Sequence, residues 1–307
     1  MYYRMLSIDG GGIKGLISLI WLNELDKRLS KPLCEYFDLF VGTSSGSLIS
    51  CALAYGISTS EIMDLFEKEG KFIFKPLSKR LYHTLKNPLG PKHSSSGLEA
   101  VLKNIFGNSK FGDIDKAVIS TAYDASRGEP ILFFNKDDKD LMTWEVCRAS
   151  SAAPIFFKPH IMEYNGKKCS MVDGGVVMNN PASFAMYKYL RERTDRAQRP
   201  FLLSVGTGSP LYELDPESVS NWNYGNWLLN VTSILIDGAS DAVHSLIEDR
   251  VPNMKYYRLQ GHIDNSGGID DASALNISIM KASAEKWVDD HDELFDEITH
   301  LLEDNKT

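Results

Sequence analysis

Three clusters of residues in this sequence could carry chemistry, and each is built around glycine. The stretch VGTSSGS (41–47) contains Gly42-Thr43-Ser44-Ser45-Gly46, a G-x-S-x-G pattern. A serine hydroxyl acts as a nucleophile where a tight strand-to-helix turn projects it from the backbone. Small residues two before and two after, here Gly42 and Gly46, relieve the crowding of that turn. The flanking residues supply the turn, because FDLFVG reads as a short apolar strand and SLISCALAYG as a helix. The helix N-terminus also favours negative charge developing beside Ser44.

The second cluster is SIDGGGIKG (7–15), in which Gly10 to Gly15 satisfies G-x-G-x-x-G. In a dinucleotide site, an acid about 20 positions on closes the second strand and binds the ribose. Glu35 and Asp38 precede or begin the second apolar run, whose far end holds the serine turn instead. That spacing is wrong for a ribose contact. Acyl transfer, by contrast, needs backbone N–H donors aimed at a tetrahedral oxyanion. Three adjacent glycines before a helix can turn their amides outward, so Gly10, Gly11 and Gly12 read as an oxyanion hole. Lys14 either adds positive charge there or is a solvated lysine at a helix start. Asp9 is expected to tie down its own loop through backbone hydrogen bonds.

The third cluster is MVDGGVVMNNP (171–181), which sets Asp173 at the end of a short apolar run, followed by Gly174. A serine nucleophile requires a base, and two arrangements fit. In Ser–Asp–His order, Asp173 is followed by His244, within the helical stretch GASDAVHSLIED, and by His262 in a loop. In the other, the Asp173 carboxylate contacts Ser44 directly. Each histidine also has an ordinary reading, as a half-buried helix residue and a surface residue, so the residues alone leave both arrangements open.

These clusters need a scaffold. YYRMLSI reads as a strand and GLISLIWLNELDKRL as a helix, and TSEIMDLFEKEG opens another helix with Thr59 or Ser60 as its cap. AVISTAYD, PILFFN and FLLSVGTG are further buried-strand candidates. Apolar runs alternating with helical patterns predict an α/β protein with a mostly parallel sheet. KNPLGPKHSSSG (86–97) and SPLYELDPESVSNWNYGNW (209–227) read as irregular connections, and the polar region from Asp270 as a surface helix.

Across 307 residues the sequence is 43% hydrophobic and 24% charged, as in ordinary globular proteins, and no linker divides it, so one domain over 1–307 is expected. A net charge of −8 argues against binding a nucleic-acid duplex. Cys34, Cys51, Cys147 and Cys169 lack metal-ligand or disulfide spacing, which predicts reduced thiols in a cytoplasmic protein with no metal or cofactor. No signal-peptide pattern opens the sequence, and no apolar run approaches the ~18 residues of a spanning helix. The stretch 71–93 interleaves Lys71, Lys75, Lys79, Arg80, Lys86 and Lys92 with Phe72, Ile73, Phe74, Leu77, Leu81, Tyr82 and Leu85, and has no acid. It is either a peripheral membrane-docking element or the solvated face of a core helix.

DGGGIKG, GTSSGS and the central DGG, in this order and spacing, resemble the patatin-like phospholipases. CRASSAAPIFFKP, FLLSVGTG, LIDGASDAVHSLIED and YYRLQ resemble the same family, so the likeness spans nearly the whole sequence. The resemblance implies a three-layer α/β/α sandwich, a patatin-like variant of the α/β-hydrolase theme. It implies a Ser44–Asp173 dyad without histidine, with Gly10, Gly11 and Gly12 as the oxyanion loop, and many members carry Arg where Lys14 stands. It implies a phospholipid substrate met at a membrane surface. Short bacterial members suggest activation by a cyclic oligonucleotide, with formation of a homo-oligomer, and plant members suggest a storage role as the alternative. The aromatics Tyr212, Trp222, Tyr224 and Trp227 could stack on a base or an acyl chain, or simply pack.

Overall fold

The structure is a computed structural model that describes residues 2–75, 90–192, 198–209, 215–250, 254–263 and 267–304. The chain opens with β1 (Tyr2–Ile8), α1 (Gly15–Arg28), β2 (Leu39–Thr43), α2 (Ser45–Ala54) and α3 (Thr59–Ile73). It continues through α4 (Ser95–Phe106), β3 (Ala117–Asp124), β4 (Glu129–Phe134), α5 (Thr143–Ser150), β5 (His160–Tyr164) and β6 (Lys167–Asp173). The rest comprises α6 (Ala182–Glu192), β7 (Arg199–Val205), α7 (Pro216–Ser220), α8 (Tyr224–Arg250), β8 (Lys255–Leu259), α9 (Ala274–Asp290) and α10 (Asp292–Glu303).

One sheet runs in the hydrogen-bonded succession β5-β6-β3-β2-β1-β7-β8, with β4 also paired to β3. Strands β3, β2, β1, β7 and β8 are mutually parallel. Parallel strands with both faces covered read as continuous apolar runs rather than alternating ones. Met5, Leu39, Val41 and Leu202 face a core shared with α6 and α8, whereas Leu6, Ile8, Phe40 and Leu203 face a second core built from α1, α2, α3 and α9. These two cores make the sheet the middle of three layers, as expected. Helix α1 buries residues on nearly all sides, including Trp21, whose indole donates to the Ala284 carbonyl at 3.3 Å. Its first two turns, apolar on nearly every side, must lie inside.

Some local readings shift. Ser58, not Thr59 or Ser60, caps α3, through a reciprocal box with Glu61. Ser94 caps α4 by accepting the Ser96 N–H, so the end of KNPLGPKHSSSG is helical. The 209–227 connection carries α7 and the start of α8, where Trp222 and Trp227 pack edge to face. The region after Asp270 forms two helices, α9 and α10. Residues 76–89, which hold most of the basic-aromatic stretch, lie outside the described residues, as does Tyr212.

Candidate active site

Strand β3 brings the first and third clusters together. Its Ile119–Asp124 edge is taken by antiparallel β4, so its other partners share the opposite edge. Parallel β2 occupies that edge as far as the pair Thr43↔Thr121. Antiparallel β6 occupies it from the next pair, Ala122↔Asp173. The two strands run toward each other and end on consecutive residues of β3, about 3.3 Å apart along the strand. Whatever follows Thr43 must therefore meet Asp173.

Ser44 follows Thr43, in a backbone conformation of φ 54° and ψ −123°. A left-handed φ on a residue with a Cβ costs on the order of 1–3 kcal/mol and persists only where surroundings impose it. Here the Ser44 N–H donates to Ser150 Oγ at 2.9 Å, and its carbonyl accepts from Ser47 and Leu48 at 2.9 and 3.2 Å. A Cβ at Gly42 would strike the Gly46 carbonyl, and one at Gly46 the Ile8 carbonyl, so both glycines are required for α2 to start this close to the sheet.

The Ser44 hydroxyl donates to Asp173 Oδ2 at 2.6 Å. The other carboxylate oxygen, Oδ1, accepts the Gly175 N–H at 2.8 Å, and the Asp173 N–H is anchored on the Ala152 carbonyl at 3.1 Å. Gly174 is buried against Thr121, which leaves no space for a side chain. Burial pushes the Asp173 carboxyl from its ordinary 3.8 up to about 6, while the hydrogen bonds from Ser44 and Gly175 pull it back. Removal from water disfavours the charged form, and the nearest partners are a hydroxyl and an amide rather than a cation.

The glycine loop follows β1 and leads through the short turn Gly12–Lys14 into α1. Two of its three amides are committed inside the protein, Gly10 N–H to the Asn179 carbonyl at 3.2 Å and Gly11 N–H to Ser45 Oγ at 3.1 Å. The Gly12 N–H, at φ +59°, has no acceptor among the described residues, and neither do the N–H groups of Ser45 and Gly46 that open α2. The donors uncommitted in this structure are thus Gly12 and the α2 terminus rather than Gly10 to Gly12 together. Lys14 is half-buried at the end of the turn.

Neither histidine joins the pair. His244 Nδ1 lies 3.0 Å from the Tyr256 hydroxyl and Nε2 lies 3.5 Å from Glu248, on a polar pocket with Asp241, Arg258 and Gln260. His262 is exposed, bridged through its backbone to Ser209. Asp9 differs from its reading as well. Its carboxylate is not spent on its own loop but takes both arms of the Arg258 guanidinium, at 2.6 and 3.0 Å. Sequence reasoning also passed over Ser150 and Asn179, whose partners lie far away in the chain. Arg258 gave no signal of its own, because its strand, KYYRL, also carries Lys255 and two tyrosines and reads as half-exposed. Among the described residues, no group of three or more His, Cys, Asp or Glu side chains is placed to hold a metal ion, and no helix is long and apolar enough to cross a membrane.

Comparison with known proteins bears on the family of the chain. A family model described as patatin-like phospholipase matches residues 6–186. A cGAMP-activated phospholipase from Vibrio cholerae is 28% identical over 317 aligned residues, covering 90% of this chain and 87% of that protein. Patatin-like protein 2 from Arabidopsis thaliana is 28% identical, with 92% of this chain and 82% of that protein covered. Among solved structures, VipD from Legionella pneumophila aligns over 94% of this chain and 67% of that chain, with 14% identity and a TM-score of 0.47. With more than half of its length matched by the family model, this chain belongs to the patatin-like phospholipase family.

Proposed function

We propose that the protein hydrolyses fatty-acyl esters of glycerophospholipids, with Ser44 as nucleophile and Asp173 as its base. The observation that carries this reading is the 2.6 Å hydrogen bond from the Ser44 hydroxyl to a buried carboxyl that no cation among the described residues neutralises. Asp173 takes the Ser44 proton as Oγ attacks the ester carbonyl. The oxyanion forms beside the uncommitted amides of Gly12, Ser45 and Gly46, where the α2 dipole adds stabilisation. Asp173 then returns the proton to the departing lysophospholipid oxygen, leaving an acyl group on Ser44. Water attacks this ester with Asp173 again as base, the fatty acid leaves, and Ser44 recovers its proton. A carboxyl with a pKa of about 6 is better suited to this shuttle near neutral pH than an ordinary one at 3.8.

The substrate sits in a lipid aggregate, so the mouth of the site must meet a membrane surface. Val176 and Val177, directly after the Asp173 turn, and Ile155, three residues beyond the Ala152 anchor, are exposed apolar side chains. They give the rim a lipid-facing character. By analogy with the Vibrio cholerae relative, we further propose that a cyclic oligonucleotide raises the activity.

The test is exposure to a fluorophosphonate probe, with and without cyclic dinucleotides, followed by peptide mapping. Labelling of Ser44, together with fatty-acid release from defined phospholipids, is expected. If Ser44 stayed unlabelled in every condition, a binding or storage role would replace catalysis.

A further inference from the structure

We infer that Arg258, on β8, is a positioning residue that fixes the glycine loop of the active site; this rests on the reading of Ser44 as nucleophile. The loop is held on two sides. Toward the serine it is held by Ser45 and Asn179. On its other side, among the described residues, the contacts that clasp it come from chain beyond residue 198. The Asp9 N–H donates to the Val205 carbonyl at 2.9 Å, and the Ile13 N–H donates to the Ile269 carbonyl at 2.9 Å. The Gly10 carbonyl accepts from the Thr207 hydroxyl at 3.5 Å.

The strongest of these clasps is the Arg258 fork. Nη2 reaches Asp9 Oδ2 at 2.6 Å, and Nη1 bridges Asp9 Oδ1 at 3.0 Å and Ser204 Oγ at 2.8 Å. Both residues are buried, with side chains 7% and 3% exposed. A bidentate guanidinium–carboxylate pair fixes orientation as well as distance. It acts on the residue immediately before Gly10, so a change there moves the Gly12 N–H relative to Ser44. A misplacement of about 1 Å in such a site costs roughly a hundredfold in rate. Arg258 lies outside residues 6–186, the part that the family model matches.

The experiment compares wild type, Arg258→Lys, Arg258→Met and the double variant Asp9→Leu/Arg258→Met, using a soluble chromogenic ester and fluorophosphonate labelling. The double variant leaves no unpaired buried charge, so it is expected to fold even where Arg258→Met does not. A positioning role predicts that kcat falls by about 10- to 100-fold in Arg258→Lys and in the folded double variant. KM should stay within about threefold, labelling of Ser44 should slow in parallel, and the acid limb near pH 6 should not move. If the double variant recovered kcat to within threefold of wild type, the pair would serve only charge balance and the inference would fall. Wild type and variants labelled at equal rates would overturn it too. Wild-type Ser44 left unlabelled would instead overturn the hydrolase reading.

Discussion

Two buried carboxyls flank the turn at Ser44, and they are treated in opposite ways. Asp9 meets a full positive charge in a two-pronged ion pair, with a third bond from Arg258 to Ser204. Burial holds its carboxyl above the ordinary value, and the charge and hydrogen bonding of Arg258 offset part of that push. Asp173 is equally withdrawn from water, but among the described residues its carboxylate meets only the Ser44 hydroxyl and the Gly175 amide. Its carboxyl rises to about 6. The first arrangement holds a loop still. The second keeps a carboxyl from being satisfied as an anion, which is what a base accepting a serine proton requires. Stability is placed at one aspartate and reactivity at the other.

The largest expected effect is at the reactive end. Ser44→Ala and Asp173→Asn should each lower ester turnover by at least about a thousandfold, since the nucleophile and its base act as a unit. Turnover by Asp173→Asn within tenfold of wild type would dissolve the contrast.

The same substitution should raise stability. The native carboxyl pKa of about 6 lies above the ordinary 3.8, so the native state binds the proton more tightly than the unfolded chain. That contribution is fully present below pH ~4 and is lost as pH rises through 6, a difference on the order of 3 kcal/mol. Asp173→Asn has no such contribution to lose, and denaturant titrations at pH 8 should find it more stable than wild type. Asp9→Asn should behave in the opposite way, losing about 3–5 kcal/mol because a buried guanidinium is left unpaired. Equal signs for the two variants in those titrations would break the comparison.

The pH profile gives a smaller, sharper test. For the soluble ester, kcat/KM should rise with pH through a single limb near 6, as Asp173 loses its proton, and level off above it. A limb near 4 would mean that burial does not tune this base.

At the rim, Val176→Asp should lower hydrolysis of anionic vesicles several-fold while leaving the soluble ester unchanged, because only the first requires docking. Equal losses on both substrates would remove the membrane role from that residue. Smallest of all, His244→Ala should change turnover by less than about threefold, because its contacts are Tyr256 and Glu248 rather than Ser44. A loss of several hundredfold would restore the Ser–Asp–His arrangement.

Local chemistry is what reads well from sequence. The strand-to-helix turn at Ser44 was legible because steric crowding dictates which residues flank it, and Gly42 and Gly46 meet that demand within five positions. The parallel strands β1, β2, β3 and β7 were legible because double-sided burial makes their apolar runs continuous, whereas the half-exposed KYYRL of β8 was not. The β5–β6 hairpin went unread although Asn165-Gly166, both at positive φ, is the dipeptide that a two-residue hairpin turn selects. Capping by Ser58 rather than Thr59 was a matter of one residue, within the ambiguity of adjacent hydroxyl side chains.

By itself the sequence determined the nucleophile turn, the glycine loop and an acid at a strand end, because each is set by bond geometry within a few residues. Only tertiary structure decided which partner each would find. Strand β3 selects Asp173 for Ser44 by seating the ends of β2 and β6 on adjacent residues. Strand β8 selects Arg258 for Asp9 across 249 positions of chain. Hydrogen bonds and ion pairs between such distant residues have no periodicity to betray them. They exist only once the sheet has fixed which strands are neighbours.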